Sequence, residues 1–131
     1  MKKGKTKEAP KVMEEWLYLS EEEGALRLLY EFLKEEEGQR AEFWEEAGVL
    51  EIGLLDAGSV DLEILPREEW DEELLACICE QQAAEVCTVT FMQEDAKKAQ
   101  KVMEILVQKA GGIFCGDNRD FLPRIKRETG G

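Results

Sequence analysis

Apolar residues in this chain recur with two different periods, and the switches between them lay out a succession of short strands and helices. In residues 14–19, Trp16 and Tyr18 alternate with Leu17 and Leu19, a strand pattern that carries apolar side chains on both faces. Ser20 followed by Glu23 has the signature of a capping box, and Ala25, Leu28, Leu29, Phe32 and Leu33 then recur at helical spacing as far as Gly38. The spacing predicts a helix over 21–37. Residues 39–47 form a connection in which Phe43 and Trp44 are expected to pin a short helical turn against the core. Residues 49–55 and 60–65 alternate apolar and polar around Asp56, Ala57, Gly58 and Ser59, which is hairpin chemistry, and Pro66 ends the second strand.

Leu74, Leu75 and Ile78 fall on one helical face within 68–84, and residues 86–92 are rich in β-branched side chains at period two. Ala96, Ala99, Val102, Met103, Leu106 and Ala110 trace a third helical stripe, supported by Glu94 four residues before Lys98 and closed by Gly111 and Gly112. Residues 113–115 begin a further strand, and 121–125 add a short extended piece after a turn. The order β-α-β-β-α-β-α-β predicts an α+β fold. It begins as the ferredoxin-like split βαβ pattern (β-α-β-β-α-β) with an appended helix and strand, its helices on one face of an antiparallel sheet. A length of 131 residues suits one core, so residues 12–125 are expected to form a single α+β domain. A mobile basic arm, 1–11, precedes it and a frayed tail, 126–131, follows.

Charge changes this picture from an anonymous small domain to a polarised one. The formal net charge is −13, yet residues 14–73 alone hold 21 carboxylates against Arg27, Lys34, Arg40 and Arg67, a local balance of 4 − 21 = −17. Such a region repels nucleic acid and anionic membrane and attracts cations. Glutamates 35–37 sit at the end of the first predicted helix, where the macrodipole disfavours them, which points to a surface selected for charge. No apolar run reaches the roughly 18 residues of a membrane span, and no hydrophobic segment follows the N-terminal lysines as a secretion signal requires. Cys77, Cys79, Cys87 and Cys115 lie within predicted elements and read as reduced, buried thiols. The expected compartment is cytoplasmic.

Candidate chemistry is narrowed by what the chain lacks. Histidine is absent, which removes the commonest general base and metal ligand. Cys77 and Cys79, two apart on a helix, point roughly 200° from each other and cannot share a metal, and the four-cysteine spacing fits no ordinary zinc site, although Cys87 and Cys115 could meet on neighbouring strands. Residues 111–120 match no phosphate or calcium loop; they read as a helix cap, a strand and an Asp-Asn turn, or as a binding loop in which Arg119 holds a carboxylate or phosphate. No cofactor motif is present.

The hairpin supports a located expectation, because its two apolar sets face one core in only one parity of register. Leu54 then opposes Val60, Ile52 opposes Leu62 and Leu50 opposes Ile64. That register sets Glu51 across from Glu63, with Asp61 opposite Gly53, on the other face. Opposed like charges are unfavourable unless something cationic visits them. Tryptophans beside acids, Trp16, Trp44 and Trp70, are either core residues or anchors for a partner arginine or lysine. The expectation is a non-enzymatic acidic binding module for a basic protein partner, one form being an inhibitor or immunity-type protein. Glu51, Asp61, Glu63, Glu45, Glu46 and Trp44 are its candidate contacts, with no direct nucleic-acid or membrane binding. The alternatives are a divalent-metal-binding protein or metal-dependent hydrolase using Glu51, Asp61 and Glu63, and a self-associating domain forming homo-oligomers.

Overall fold

A computed structural model describes residues 12–36 and 38–127. The expected arm, 1–11, and residues 128–131 of the expected tail lie outside the described residues. The elements are β1 (Met13–Ser20), α1 (Ala25–Lys34), β2 (Arg40–Trp44), β3 (Val49–Gly53), β4 (Ser59–Ile64), α2 (Glu72–Gln81), β5 (Glu85–Met92), α3 (Ala96–Ala110), β6 (Ile113–Gly116) and β7 (Arg124–Lys126). The fold is α+β, with seven strands in one sheet of order β2-β3-β4-β5-β1-β6-β7. Every neighbouring pair is antiparallel.

This order departs from the ferredoxin-like expectation. In a split βαβ unit the strands flanking the second helix do not pair with each other. Here β4 and β5 are direct antiparallel neighbours, and the Leu65 amide bonds the Val86 carbonyl at 2.9 Å to continue their ladder. The second helix, α2, is thus an excursion between adjacent strands. The crossings are made by α1, which carries the chain from β1 over three strands to β2, and by α3, which carries it from β5 past β1 to β6. The helices also divide between the faces, contrary to the expected one-sided packing. Leu26, Leu29 and Leu33 of α1 and Met103 and Leu106 of α3 pack with Tyr18, Ile52, Leu62 and Phe91 on one face. Leu74, Cys77 and Ile78 of α2 pack with Leu17, Leu19, Val86 and Cys115 on the other. The physical reason lies in β1, where Trp16, Leu17, Tyr18 and Leu19 are all buried and apolar area on both sides has to be covered.

Three local expectations change with it. Residues 40–44 form an edge strand where a helical turn was expected; Ala41 and Phe43 face the core while Trp44 stays 46% exposed. Ser20 does not cap α1: its hydroxyl donates to the Glu22 carbonyl and accepts from the Glu22 amide. The helix starts at Ala25 after Gly24 (φ 75°), and its first amide is met by the Glu85 carboxylate at 2.9 Å, an anion at the positive end of the helix. Lys126, expected in the tail, belongs to β7 and pairs with Ile113.

Candidate functional site

Among the described residues, the strands β2, β3 and β4 are covered on one face only. Alternation sends Leu50, Ile52, Val60 and Leu62 into the α1/α3 core, and the intervening residues onto a face that α2 does not reach, because α2 packs against β1, β5 and β6. Register then lines up carboxylates across the strands. Glu42 opposes Glu51, Glu51 opposes Asp61, Asp61 opposes Thr90, and Thr90 opposes Glu15. With strands about 4.8 Å apart, this row runs roughly 19 Å across five strands. In the neighbouring row Trp44 opposes Val49 and Val49 opposes Glu63.

Glu51, Asp61 and Glu63 therefore share one open face, as expected, but the direct pairing differs from the expected one by two residues. Glu51 faces Asp61 instead of Glu63, and Gly53 faces Ser59. The turn is tighter than the apolar pattern implied: the Leu54 amide bonds the Gly58 carbonyl at 2.9 Å, with Asp56 in the left-handed region at φ 53°. A two-residue shift keeps the parity, so every side chain stays on its face while its neighbours change.

Arg40 stands at one end of this face, two residues before Glu42 on β2, yet among the described residues it is in no ion pair with the row. Their ion pairs are Arg27–Glu31, Arg27–Glu45, Lys34–Glu31, Lys109–Glu36 and Arg124–Glu80, and none involves Glu15, Glu42, Glu51, Asp61 or Glu63. Local satisfaction comes from a hydroxyl: Ser59 Oγ donates to Asp61 Oδ1 at 2.9 Å. Glu45 does not belong to this site, because it turns to Arg27 of α1, whose guanidinium also lies 5.7 Å from the Phe43 ring centre. Glu46 is exposed in the turn between β2 and β3. Trp44 stands at the strand edge on the acidic face, whereas Trp16 is buried and donates to Glu14, and the Trp70 ring is already covered by Arg67 at 5.0 Å. Glu42 and Glu15 escaped sequence reasoning. The Ala41/Phe43 alternation was the available signal for Glu42.

The acidity continues into a cleft of about 310 Å³ beside α2, which Thr88 shares with the face through its pairing with Glu63. Glu69, Asp71, Glu73 and Asp117 line it, with Arg119 on the same wall. The carboxyl pKa of Asp117 is raised, first by partial burial and then by the charges of Glu15 and Asp71. Asn118 closes the loop as an Asx turn, its Oδ1 accepting from the Asp120 and Leu122 amides.

The cysteines do not form a reactive group. Cys87 and Cys115 are separated by β1 and face opposite cores, so the pairing considered for them does not occur; Cys115 instead shares the α2 core with Cys77, while Cys79 is exposed. Burial pushes the Cys115 thiol up to about 12 and raises those of Cys87 and Cys77. Among the described residues, no three Cys, Asp or Glu side chains converge closely enough to hold a metal ion, and no helix is long and apolar enough to cross a membrane. The chain is thus an α+β protein with a half-covered antiparallel sheet. No protein-family model, curated protein or solved structure matches it.

Proposed function

We propose that this chain is a non-enzymatic binding module that captures a basic protein through the open face of β2, β3 and β4. The observation that carries the reading is the lateral row Glu42, Glu51, Asp61, which among the described residues is uncovered and in no ion pair. Directly opposed like charges cost a sheet roughly 0.2–1 kcal/mol per pair, and a Lys/Arg-rich surface turns that cost into attraction on binding. Glu63 widens the charged area, and Trp44 offers an exposed ring at its edge for a partner guanidinium or apolar side chain. The −17 segment steers the partner over a distance set by salt. In the inhibitor or immunity-type form of this reading, the row stands where the phosphates of nucleic acid lie on a basic enzyme. Direct binding of nucleic acid or anionic membrane is disfavoured by the same field. A reducing, cytoplasmic setting fits the four unpaired cysteines.

Affinity capture from native lysate, washed first at low and then at high salt, tests the proposal. A basic protein should be retained and released by salt, and the double reversal Glu51→Lys/Asp61→Lys should fail to retain it. Equal retention by the reversed variant would reject the reading.

A further inference from the structure

One groove departs from the net acidity of the chain. It measures about 380 Å³ and lies where the β3–β4 turn, the entry to β2 and the first half of α3 meet. Among the described residues, Leu54, Leu55 and Val102 supply apolar walls, while Arg40, Lys98 and Lys101 line it against the single carboxylate of Asp56. Three cations to one acid reverses the balance of a chain with 17 basic and 30 acidic residues. Among the described residues none of the three is in an ion pair. Lys98 does not pair with Glu94 as its spacing predicts; its Nζ donates to the Leu55 carbonyl at 2.7 Å.

The groove is braced from three sides. The Gly58 amide donates to Asp95 Oδ2 at 3.1 Å, Gln39 Nε2 donates to the Gly53 carbonyl at 2.9 Å, and the Lys98 bond closes the turn onto α3. Its walls are therefore set before anything binds, which lowers the ordering cost of binding. At the rim Leu55 is 82% exposed, apolar area that a bound apolar group would remove from water. The volume falls within the roughly 300–1,000 Å³ of small-molecule pockets.

We propose that this groove binds a small phosphorylated molecule carrying an apolar or aromatic group. The phosphate sits among Arg40, Lys98 and Lys101, and the apolar group lies against Leu54, Leu55 and Val102. A guanidinium fork with two ammonium groups matches the oxygens and double charge of a phosphate monoester better than the single charge of a carboxylate. The acidic remainder of the surface repels such a dianion, so the groove collects it. The groove adjoins the end of the acidic row, Arg40 and Gly53 pairing two residues from Glu42 and Glu51, but it does not depend on the partner reading.

Titrating ¹⁵N-labelled full-length protein with phenyl phosphate, inorganic phosphate and benzoate, read by amide chemical shifts, tests the proposal. Phenyl phosphate should shift residues 53–58 and the first turns of α3 saturably, with inorganic phosphate and benzoate each weaker by about tenfold. Arg40→Gln and Lys101→Gln should each weaken phenyl phosphate by about tenfold while leaving the rest of the spectrum in place; neither side chain makes the bonds that brace the turn. Absence of saturable shifts up to about 10 mM, undiminished binding in both variants, benzoate equal to phenyl phosphate, or shifts confined to residues outside the groove would each overturn it.

Discussion

The two halves of the sheet are built from the same antiparallel ladder and differ in how many faces they cover. Around β5, β1 and β6 both faces are buried, and Leu17 and Leu19 lie under α2 while Trp16 and Tyr18 lie under α1 and α3. Around β2, β3 and β4 one face is buried and the other carries Glu42, Glu51, Asp61 and Glu63. The doubly covered half supplies the stability that a small domain needs from apolar burial. The half-covered part, held by that scaffold, can carry charge that its own strands would not favour. The contrast separates what keeps the protein folded from what its surface is free to do.

The sharpest way to break this contrast is within a single strand. Ile52→Ala, at a fully buried position, is expected to lose about 2–5 kcal/mol in chemical denaturation. Its neighbour Glu51→Gln is expected to gain roughly 0.2–1 kcal/mol, less at high salt, because it relieves charges facing it from both sides. Equal losses at the two positions would dissolve the distinction. In the doubly covered half, Gly112→Ala should cost about 2–4 kcal/mol. Its backbone is left-handed at φ 78°, and a Cβ there would come within 2.6 Å of the Tyr18 hydroxyl and 2.7 Å of the Leu19 carbonyl.

Smaller effects probe the boundary between the halves. Asp117 binds its proton more tightly folded than unfolded, so its contribution is most favourable below the ordinary aspartate pKa of 3.8 and is lost as pH rises through the raised folded value. Asp117→Asn should therefore be more stable than the parent at neutral pH, with the difference vanishing as pH falls through the aspartate range in parallel melts. Alkylation should be the mildest discriminator: iodoacetamide labels exposed Cys79 in the native protein, while Cys87 and Cys115 react only after denaturation. Native labelling of Cys115, followed by mass spectrometry, would show that α2 does not seal its face.

Much of this division was legible in the chain. The apolar run of β1 showed apolar side chains on both faces, yet the expected fold still set its helices on one face only; the alternation in β3 and β4 fixed which residues point outward, because parity survives a register error of two. The strand order was not legible. Periodicity records the face of each strand but not its neighbour, and the pairing of β4 with β5 is set by α2 returning the chain beside its own starting point. Residues 40–44 were misread because a five-residue edge strand with exposed Trp44 resembles a turn with two aromatics. Missing that strand hid Glu42 and with it the continuity of the acidic row. The groove around Arg40, Lys98 and Lys101 was invisible for a related reason: it joins side chains about 60 residues apart, from Arg40 to Lys101, that only the braced turn brings together.

In the proposed function the open row, and not the bulk charge, does the recognising. The direct measurement is the affinity of the captured basic protein for the parent, for Glu51→Lys and for Glu45→Lys, each a single charge reversal, at matched low salt. Reversal in the row should weaken binding by at least about a hundredfold. Reversal of Glu45, which faces Arg27 on the other side of the sheet, should weaken it by about tenfold or less. Affinity loss that follows only the number of charges changed, wherever they lie, would contradict the account and leave the row without a role.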